Sequence, residues 1–202
     1  MTMTFQKLFH SDIRTRDKFF SRLFGIFNEE IVRCWGKAPQ APYEEVGRPT
    51  IKPIGADRGS TLDFTFRSKK DGRFYVAEMK CELEYENYRY LTLESPAQLD
   101  HHIKDKEAFR VFLDVVHNKD HYMFLVKRRT QIISGSILVW GRYTEQGRVR
   151  VVSQYGLADV LSLEVIIHDL LAWQNQDYIN LIRKYELWCG DLFAGLRALR
   201  NE

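Results

Sequence analysis

The chain has 202 residues, of which 45% are hydrophobic and 28% charged, and its formal net charge is +3. This length suffices for one full domain and is short for two, and the composition is ordinary for a globular protein whose charge permits a polyanionic partner without requiring one. Its apolar runs are too short to cross a bilayer and no secretory leader is recognised, so we expect a cytoplasmic protein with no membrane partner. The three cysteines form no paired motif, which gives no support to a zinc site or a disulfide framework.

The first predicted element is a long amphipathic helix over residues 12–35. Its apolar residues recur at spacings of three and four and form one stripe, which is typical of a helix packed on a core. The stripe consists of Phe20, Leu23, Phe24, Phe27, Ile31 and Trp35. Gly36 and Pro39 end the helix. Residues 36–47 contain several prolines, glycines and polar groups, so we expect a loop there.

Three strands are predicted after this loop. They cover residues 50–54, 60–66 and 73–81, and each is a short run rich in apolar residues. The segment between the second and third strands is polar and contains Asp71-Gly72, a strong hairpin signal. The chain is therefore expected to run up one strand, turn, and return along the next.

Asp63 lies in the second strand, and Glu78 and Lys80 lie in the third. Because side chains alternate across a strand, Glu78 and Lys80 share one face, and the hairpin can bring Asp63 close to both. Two acids and a lysine on apolar strands are costly unless they are paired, hydrated or metal-bound. Two carboxylates are the hard oxygen ligands that Mg²⁺ prefers, and a nearby lysine can hold a water or offset charge on a phosphate. A solvated face is the non-catalytic interpretation.

This pattern resembles the PD-(D/E)xK nuclease superfamily, whose members share the restriction-endonuclease-like fold. The resemblance covers residues 12–127 and implies an α/β fold with a core of helix, three-stranded meander, helix and strand. It also implies a Mg²⁺-dependent (or Mn²⁺-dependent) deoxyribonuclease in which Asp63 and Glu78 bind the metal, while Lys80 positions water or stabilises the transition state. Leu62 stands where the eponymous proline would be. Because some members have lost catalysis, the alternative is a non-catalytic nucleic-acid-binding or protein-interaction module with this fold.

Members of this superfamily can add an acid from the first helix to the site. At about 100° per residue, Glu30 falls near the edge of the apolar stripe and Glu29 falls on the opposite side. Glu30 is therefore the better candidate catalytic residue on this helix. Glu44 and Glu45, in the following loop, are rival candidates, and a role as surface acids is the alternative for both helix residues.

A second long helix is predicted over residues 95–117. Ser95 suits the N-cap, Pro96 the first helical position, and Gln98 completes a capping box. In the superfamily a helix in this place can carry polar groups toward the site, so Gln98 is a candidate site residue as well as a cap. Residues 122–126 follow as an apolar run typical of a buried central strand.

The C-terminal part is predicted to add a hairpin and two helices. These elements cover residues 132–143 and 148–154 for the strands, and 157–173 and 178–199 for the helices. We interpret the chain as a single domain, with a nuclease-like core over residues 12–127 and an extension over residues 130–202. The helices either complete the core or form the surface of a homodimer.

Several basic residues lie in loops beside the predicted site. Lys69 and Lys70 flank the central turn, and Lys127, Arg128 and Arg129 follow a predicted strand. If these loops share one side of the fold they can contact phosphates, so we expect DNA as the partner, with RNA as a second option. Scattered solvated charges explain the pattern equally well. The acids and tyrosines of residues 82–90 are further candidates for tuning the site or stacking on bases.

Overall fold

The computed structural model describes residues 4–9, 14–81 and 91–199. Helices and strands are mixed along the chain, so the predicted α/β class is confirmed. The helices are α1 (Phe5–Phe9), α2 (Arg14–Lys37), α3 (Asp100–Asp105), α4 (Glu107–Asn118), α5 (Glu145–Tyr155), α6 (Leu163–Ala172) and α7 (Gln176–Ala198). The strands are β1 (Tyr43–Gly47), β2 (Pro49–Pro53), β3 (Ser60–Thr61), β4 (Phe64–Ser68), β5 (Phe74–Lys80), β6 (Thr92–Leu93), β7 (Tyr122–Val126), β8 (Arg129–Gln131), β9 (Ile133–Trp140), β10 (Arg142–Tyr143) and β11 (Asp159–Ser162). Among the described helices, none combines the length and the apolar character needed to cross a membrane.

A five-stranded sheet with the order β1-β4-β5-β9-β11 forms the centre of the fold. Neighbours among β1, β4 and β5 are antiparallel, whereas β9 runs parallel to both β5 and β11. Along β9, Ile137 and Val139 join one core cluster and Leu138 and Trp140 join the other. All four are at most 1% exposed, because β9 is covered on both faces, as parallel strands in α/β proteins usually are.

Helices on the two faces of the sheet build these two clusters. α2, α6 and α7 contribute to the first, where Val32 and Leu170 are fully buried, and α4 contributes Phe109 and Phe112 to the second. A hydrogen bond from Trp35 Nε1 to Asp169 Oδ2 (2.9 Å) joins α2 to α6. The position of α2 relative to the sheet is therefore fixed by apolar packing and by a polar contact.

Two smaller sheets complete the fold. One has the order β3-β2-β7-β8 with antiparallel neighbours, and the other is the parallel pair of β6 and β10. Lys127 and Arg128 form the turn between β7 and β8, with φ angles of 49° and 65°. Two successive positive φ angles define a type I′ hairpin turn, which usually holds Asn-Gly.

The predicted hairpin that carries Asp63 and Glu78 is confirmed. β4 and β5 are antiparallel, with Phe64 opposite Ala77, and Gly72 has the positive φ (73°) that the connecting turn requires. The strand predicted over residues 60–66 is interrupted, so that Asp63 lies between β3 and β4. The helix predicted over residues 12–35 is observed as α2.

Two predicted strands belong to a different sheet from the one expected. The segments 50–54 and 122–126 form β2 and β7, but these strands pair with each other in the four-stranded sheet. The first strand of the meander is β1, inside the predicted loop 36–47, and the strand parallel to β5 is β9. The sequence pattern does not indicate β1, because this edge strand has only partly buried side chains and therefore lacks an alternation of apolar and polar residues.

The prediction of a second hairpin strand over residues 148–154 is wrong, because these residues belong to α5. Alternating arginine and valine in residues 148–151 imitates a strand. Thr144 instead caps a helix, since its hydroxyl accepts a hydrogen bond from the backbone N of Gly147 (3.0 Å). Glycine is required at position 147 because a Cβ there would stand 2.3 Å from the carbonyl oxygen of Leu93.

Two predicted helices are also shorter than expected. The segment 95–117 begins as a 3₁₀ turn (Pro96–Leu99) and continues as α3 and α4, which are separated where Lys106 adopts an extended backbone (φ −125°). The segment 157–173 begins with the short strand β11, which adds to the edge of the central sheet before α6 starts at Leu163. In both segments apolar residues lie on either side of the break, so periodicity alone did not reveal it.

Candidate active site

Asp63, Glu78 and Lys80 come together where β4 begins and β5 ends. Asp63 precedes the paired residues Phe64 and Ala77, which sets it opposite Glu78. Its Oδ2 accepts a hydrogen bond from the backbone N of Met79 (2.9 Å), so Asp63 is anchored to β5 between the two other residues. The polar cluster is thus a direct product of the antiparallel register.

Lys80 and Glu78 form a largely buried ion pair. Lys80 Nζ lies 2.7 Å from Glu78 Oε1 and also donates to the carbonyl oxygen of Met79 (3.2 Å). The Glu78 side chain is 8% exposed and that of Lys80 is 16% exposed. The second oxygen, Glu78 Oε2, is buried and has no hydrogen-bond partner among the described residues. A buried acceptor without a partner is costly, so this oxygen is suited to bind a cation or a donor from a ligand.

Burial raises the pKa of Glu78 from its ordinary value of 4.5 to about 7. The ammonium of Lys80 opposes this rise because it stabilises the carboxylate, whereas the negative charge of Asp63 adds to it. Glu78 is therefore partly protonated near neutral pH when no ligand is bound. A cation in the site would favour the ionised form.

A cavity of about 210 Å³ opens beside these side chains. Its lining comes from one stretch of α2 and from the end of the hairpin: Gly25, Asn28, Glu29, Asp63, Glu78, Met79, Lys80 and Cys81. A water molecule takes about 30 Å³ of liquid volume, so the cavity has room for a hydrated ion or a phosphate group. Within the described ranges, and apart from its chain neighbours and the backbone of α2, nothing comes within 4 Å of the place where a Cβ on Gly25 would lie.

Asn28 is the lining residue that the sequence reasoning missed. It is 1% exposed, yet neither its Nδ2 nor its Oδ1 has a hydrogen-bond partner among the described residues. A buried amide is normally satisfied, so both atoms are available to a water, an ion or a phosphate oxygen in the cavity. The sequence signal for Asn28 is its position as a polar residue beside the apolar stripe, four residues after Phe24 and three before Ile31.

The acid of α2 that lines the cavity is Glu29 rather than the predicted Glu30. Val32 is fully buried and Asn28 nearly so, which shows that α2 faces the sheet on the Asn28 side of its apolar stripe. Glu30 lies on the other side of the stripe, where its side chain is 41% exposed and pairs with Arg33 (2.8 Å). Glu29 also contacts Arg33 (2.9 Å) and is 27% exposed. Glu30 is therefore not part of the cavity lining, because the stripe alone does not indicate which of its edges meets the sheet.

The other candidate acids do not line the cavity. Glu44 pairs with Arg67 on the surface of the hairpin. Glu45 Oε1 accepts a hydrogen bond from the backbone N of Gly47 (2.7 Å), and burial raises the pKa of Glu45. Both residues lie in the edge strand β1, which explains their distance from the end of β5. The acids and tyrosines noted at positions 82–90 lie outside the described residues.

Gln98 has a capping role and is absent from the cavity lining. Its Oε1 accepts hydrogen bonds from the backbone N of Glu94 (2.7 Å) and of Ser95 (3.0 Å), and its Nε2 donates to the carbonyl oxygen of Thr92 (2.8 Å). Three short contacts to the preceding segment use its donor and acceptor groups. The predicted capping function is therefore observed, while the structure gives no support to a second role at the cavity.

The predicted phosphate-binding residues separate into two groups. Lys69 and Lys70 lie at the turn end of the hairpin, a full β4 length, about 17 Å, from Asp63. Lys69 Nζ donates to the carbonyl oxygen of Ala38 (2.6 Å), which caps the C-terminal end of α2. These two lysines therefore do not share a side with the cavity.

Lys127, Arg128 and Arg129 lie at the same end of the hairpin as the cavity, and all three are exposed. Val126 pairs with Pro49, which places the basic turn next to Arg48. Arg48 is half exposed, and its Nη2 lies 3.5 Å from Asp63 Oδ1. A continuous run of positive charge thus leads from the β7–β8 turn to the site.

The donor set suits a hard divalent cation. Asp63 and Glu78 present carboxylates to one cavity, and Mg²⁺ is commonly held by one or two carboxylates together with waters and substrate phosphates. The unpartnered Glu78 Oε2 is consistent with this fit. In the described residues there is no group of three or more His, Cys, Asp or Glu side chains arranged to hold a metal ion.

Comparison of the chain with protein-family models, with curated proteins and with solved structures yields no match.

Proposed function

We propose that this protein is a Mg²⁺-dependent deoxyribonuclease that hydrolyses phosphodiester bonds at the cavity lined by Asp63, Glu78 and Lys80. The observation that carries the proposal is the meeting of two carboxylates and a lysine at the end of two central strands, beside a cavity large enough for a phosphate. Mn²⁺ is the alternative metal. The raised pKa of Glu78 supports a functional site, because perturbed carboxyl groups in clefts are enriched at such sites.

The order of elements supports a restriction-endonuclease-like core. When the strands of the two smaller sheets (β2, β3, β6, β7 and β8) are set aside, α2 is followed by the antiparallel strands β1, β4 and β5, then by α3 and α4, and then by β9 parallel to β5. This is the expected succession of helix, three-stranded meander, helix and strand, with Asp63 and Glu78 on the second and third strands of the meander. The proposed core extends to Trp140 instead of ending at residue 127, because β9 and not β7 supplies the final strand.

In this proposal, each of the three side chains acts as part of the cavity lining. A divalent cation, when bound, would act as a Lewis acid on the scissile phosphate. Glu78 and Asp63 would hold it through carboxylate oxygens, Glu78 in its ionised form. Lys80 Nζ, already 2.7 Å from Glu78, would donate to the attacking water or to the phosphate oxygen that gains charge.

Asn28 and the basic turn extend the proposed site toward the substrate. The unpartnered Asn28 amide would donate Nδ2–H to a phosphate oxygen and accept a hydrogen from a water through Oδ1. Arg48, Lys127 and Arg128 would contact phosphates next to the scissile one, which orients the nucleic acid without reading its sequence. These contacts are equally suited to RNA, so DNA is the first substrate to test and RNA the second.

A cleavage assay with matched variants tests the proposal. Linear, branched and single-stranded DNA and RNA are incubated with Mg²⁺, Mn²⁺ or EDTA and with wild-type, Glu78→Gln, Lys80→Met and Lys70→Ala proteins. Metal-dependent cleavage is expected for the wild type and for Lys70→Ala, whose lysine lies at the far end of the hairpin. Glu78→Gln and Lys80→Met should lower the rate about 10²- to 10⁴-fold. Equal cleavage by all four proteins would refute the assignment of the site.

The second candidate function is a non-catalytic nucleic-acid-binding or protein-interaction module. It is favoured by the direct Lys80–Glu78 ion pair and by the hydrogen bond that already satisfies Asp63 Oδ2. Metal binding separates the two functions: a ligand present at one hundred times its dissociation constant stabilises a protein by about 2.7 kcal/mol. A rise in melting temperature with Mg²⁺ or Mn²⁺ that is lost in Glu78→Gln favours the nuclease, and no rise with either metal favours the module.

A further inference from the structure

The outer half of α7 has an apolar face that remains exposed. On a helical wheel, Tyr178, Leu181 and Tyr185 share one face with Trp188, Leu192 and Leu196. The first members of this face are buried in the core, with Tyr178 6% and Leu181 8% exposed. Farther along the same face, Trp188 is 55%, Leu192 59% and Leu196 55% exposed. The inner half of this face is thus buried in the core, and the outer half is exposed to solvent.

α2 runs antiparallel to the inner half of α7. Tyr178 lies near Cys34, and seven residues later along α7 the ring of Tyr185 is 5.3 Å from that of Phe27, seven residues earlier along α2. From residue 190 to residue 199, every residue of the chain is exposed.

The apolar area of this patch matches that of a dimer interface. Trp188, Leu192, Phe193 and Leu196 are each about half exposed. At roughly 150–250 Å² per large side chain, they expose on the order of 400 Å² of apolar surface. A standard interface buries about 800 Å² per partner, of which up to about 65% is apolar in homodimers. A second copy of the patch would therefore cover it fully.

We infer that the outer half of α7 binds a second copy of this chain through this apolar face. The apolar face follows the three- and four-residue spacing of a coiled-coil seam, with Tyr185, Cys189, Leu192, Leu196 and Leu199 in successive seam positions. A helix with the same spacing is the matching partner for such a seam.

The inference does not depend on the proposed nuclease activity.

Sedimentation equilibrium of the full chain tests the inference with two leucine variants of one helix. Leu187 is 64% exposed but lies on the opposite side of α7 from Leu192, which is 59% exposed. The wild type and Leu187→Glu are expected to be dimers, whereas Leu192→Glu should raise the dissociation constant at least about tenfold. Circular dichroism checks that both variants are folded. A wild type that remains monomeric above about 10 µM, or two variants that behave alike, would overturn the inference.

Discussion

Glu78→Gln should change the pH dependence of stability in a defined interval. The folded protein holds the Glu78 proton up to a pKa of about 7, against an ordinary value of 4.5. Protonated Glu78 therefore favours folding fully below pH 4.5, and this contribution is lost as the pH rises through 7. Each pH unit between the two values corresponds to about 1.4 kcal/mol, so the wild type should lose about 3 kcal/mol over this interval through Glu78 alone.

The assay is urea denaturation of both proteins between pH 4 and 8 in EDTA, with the difference in free energy of unfolding plotted against pH. Other titrating groups are common to both proteins and largely cancel. Relative to the wild type, Glu78→Gln should gain about 3 kcal/mol between pH 4.5 and pH 8, because glutamine does not ionise. Glu78→Gln also removes the charged partner of Lys80. This loss shifts the whole curve of the free-energy difference against pH, but it does not produce the slope expected from the titration of Glu78. Parallel curves for the two proteins would refute the reasoning that burial holds Glu78 protonated.

Three further predictions concern other parts of the molecule. Asn28→Leu should raise the melting temperature by the equivalent of about 1–3 kcal/mol, since it removes a buried amide that has no hydrogen-bond partner in the described part of the chain, while slowing DNA cleavage; a lower melting temperature would contradict this reasoning. Gly147→Ala should destabilise the fold by roughly 1–3 kcal/mol, because its Cβ would stand 2.3 Å from a carbonyl oxygen. Gly190→Ala, in open space within α7, should instead stabilise it by up to about 1 kcal/mol in thermal denaturation; similar effects of the two alanines would contradict this. Lys127→Ala should reduce the slope of log affinity for DNA against log salt by about 1, and Lys70→Ala should leave it unchanged; the reverse result would move the DNA to the other end of the hairpin.

The hairpin that carries Asp63 and Glu78 was predictable because its determinants are local. The Asp71-Gly72 turn, the short apolar strands and the two-residue alternation all lie within about twenty residues. The capping role of Gln98 was readable for the same reason. Local signals of this kind are sufficient to bring the three side chains of the candidate site together.

The remaining features depend on contacts between distant parts of the chain. Whether residues 122–126 or Ile133–Trp140 become the strand beside β5 is decided by a parallel pairing across more than fifty residues, and both segments are apolar. The edge of α2 that meets the sheet is decided by its packing, which brought Glu29 and Asn28, and not Glu30, to the cavity. In α5, one helix cap and one close backbone contact outweigh a strand-like alternation.

The two residues of the β7–β8 turn lower the stability of the fold. Asn-Gly at positions 127 and 128 would adopt the two positive φ angles with little strain, whereas an ordinary side chain there costs roughly 1–2 kcal/mol per residue. Lys127 and Arg128 therefore make the fold less stable than Asn-Gly would, and they place two positive charges at an exposed turn. An engineered chain with Asn-Gly at this turn would be a more heat-resistant scaffold, and it would lack two positive charges of the turn that follows the strand paired with Pro49.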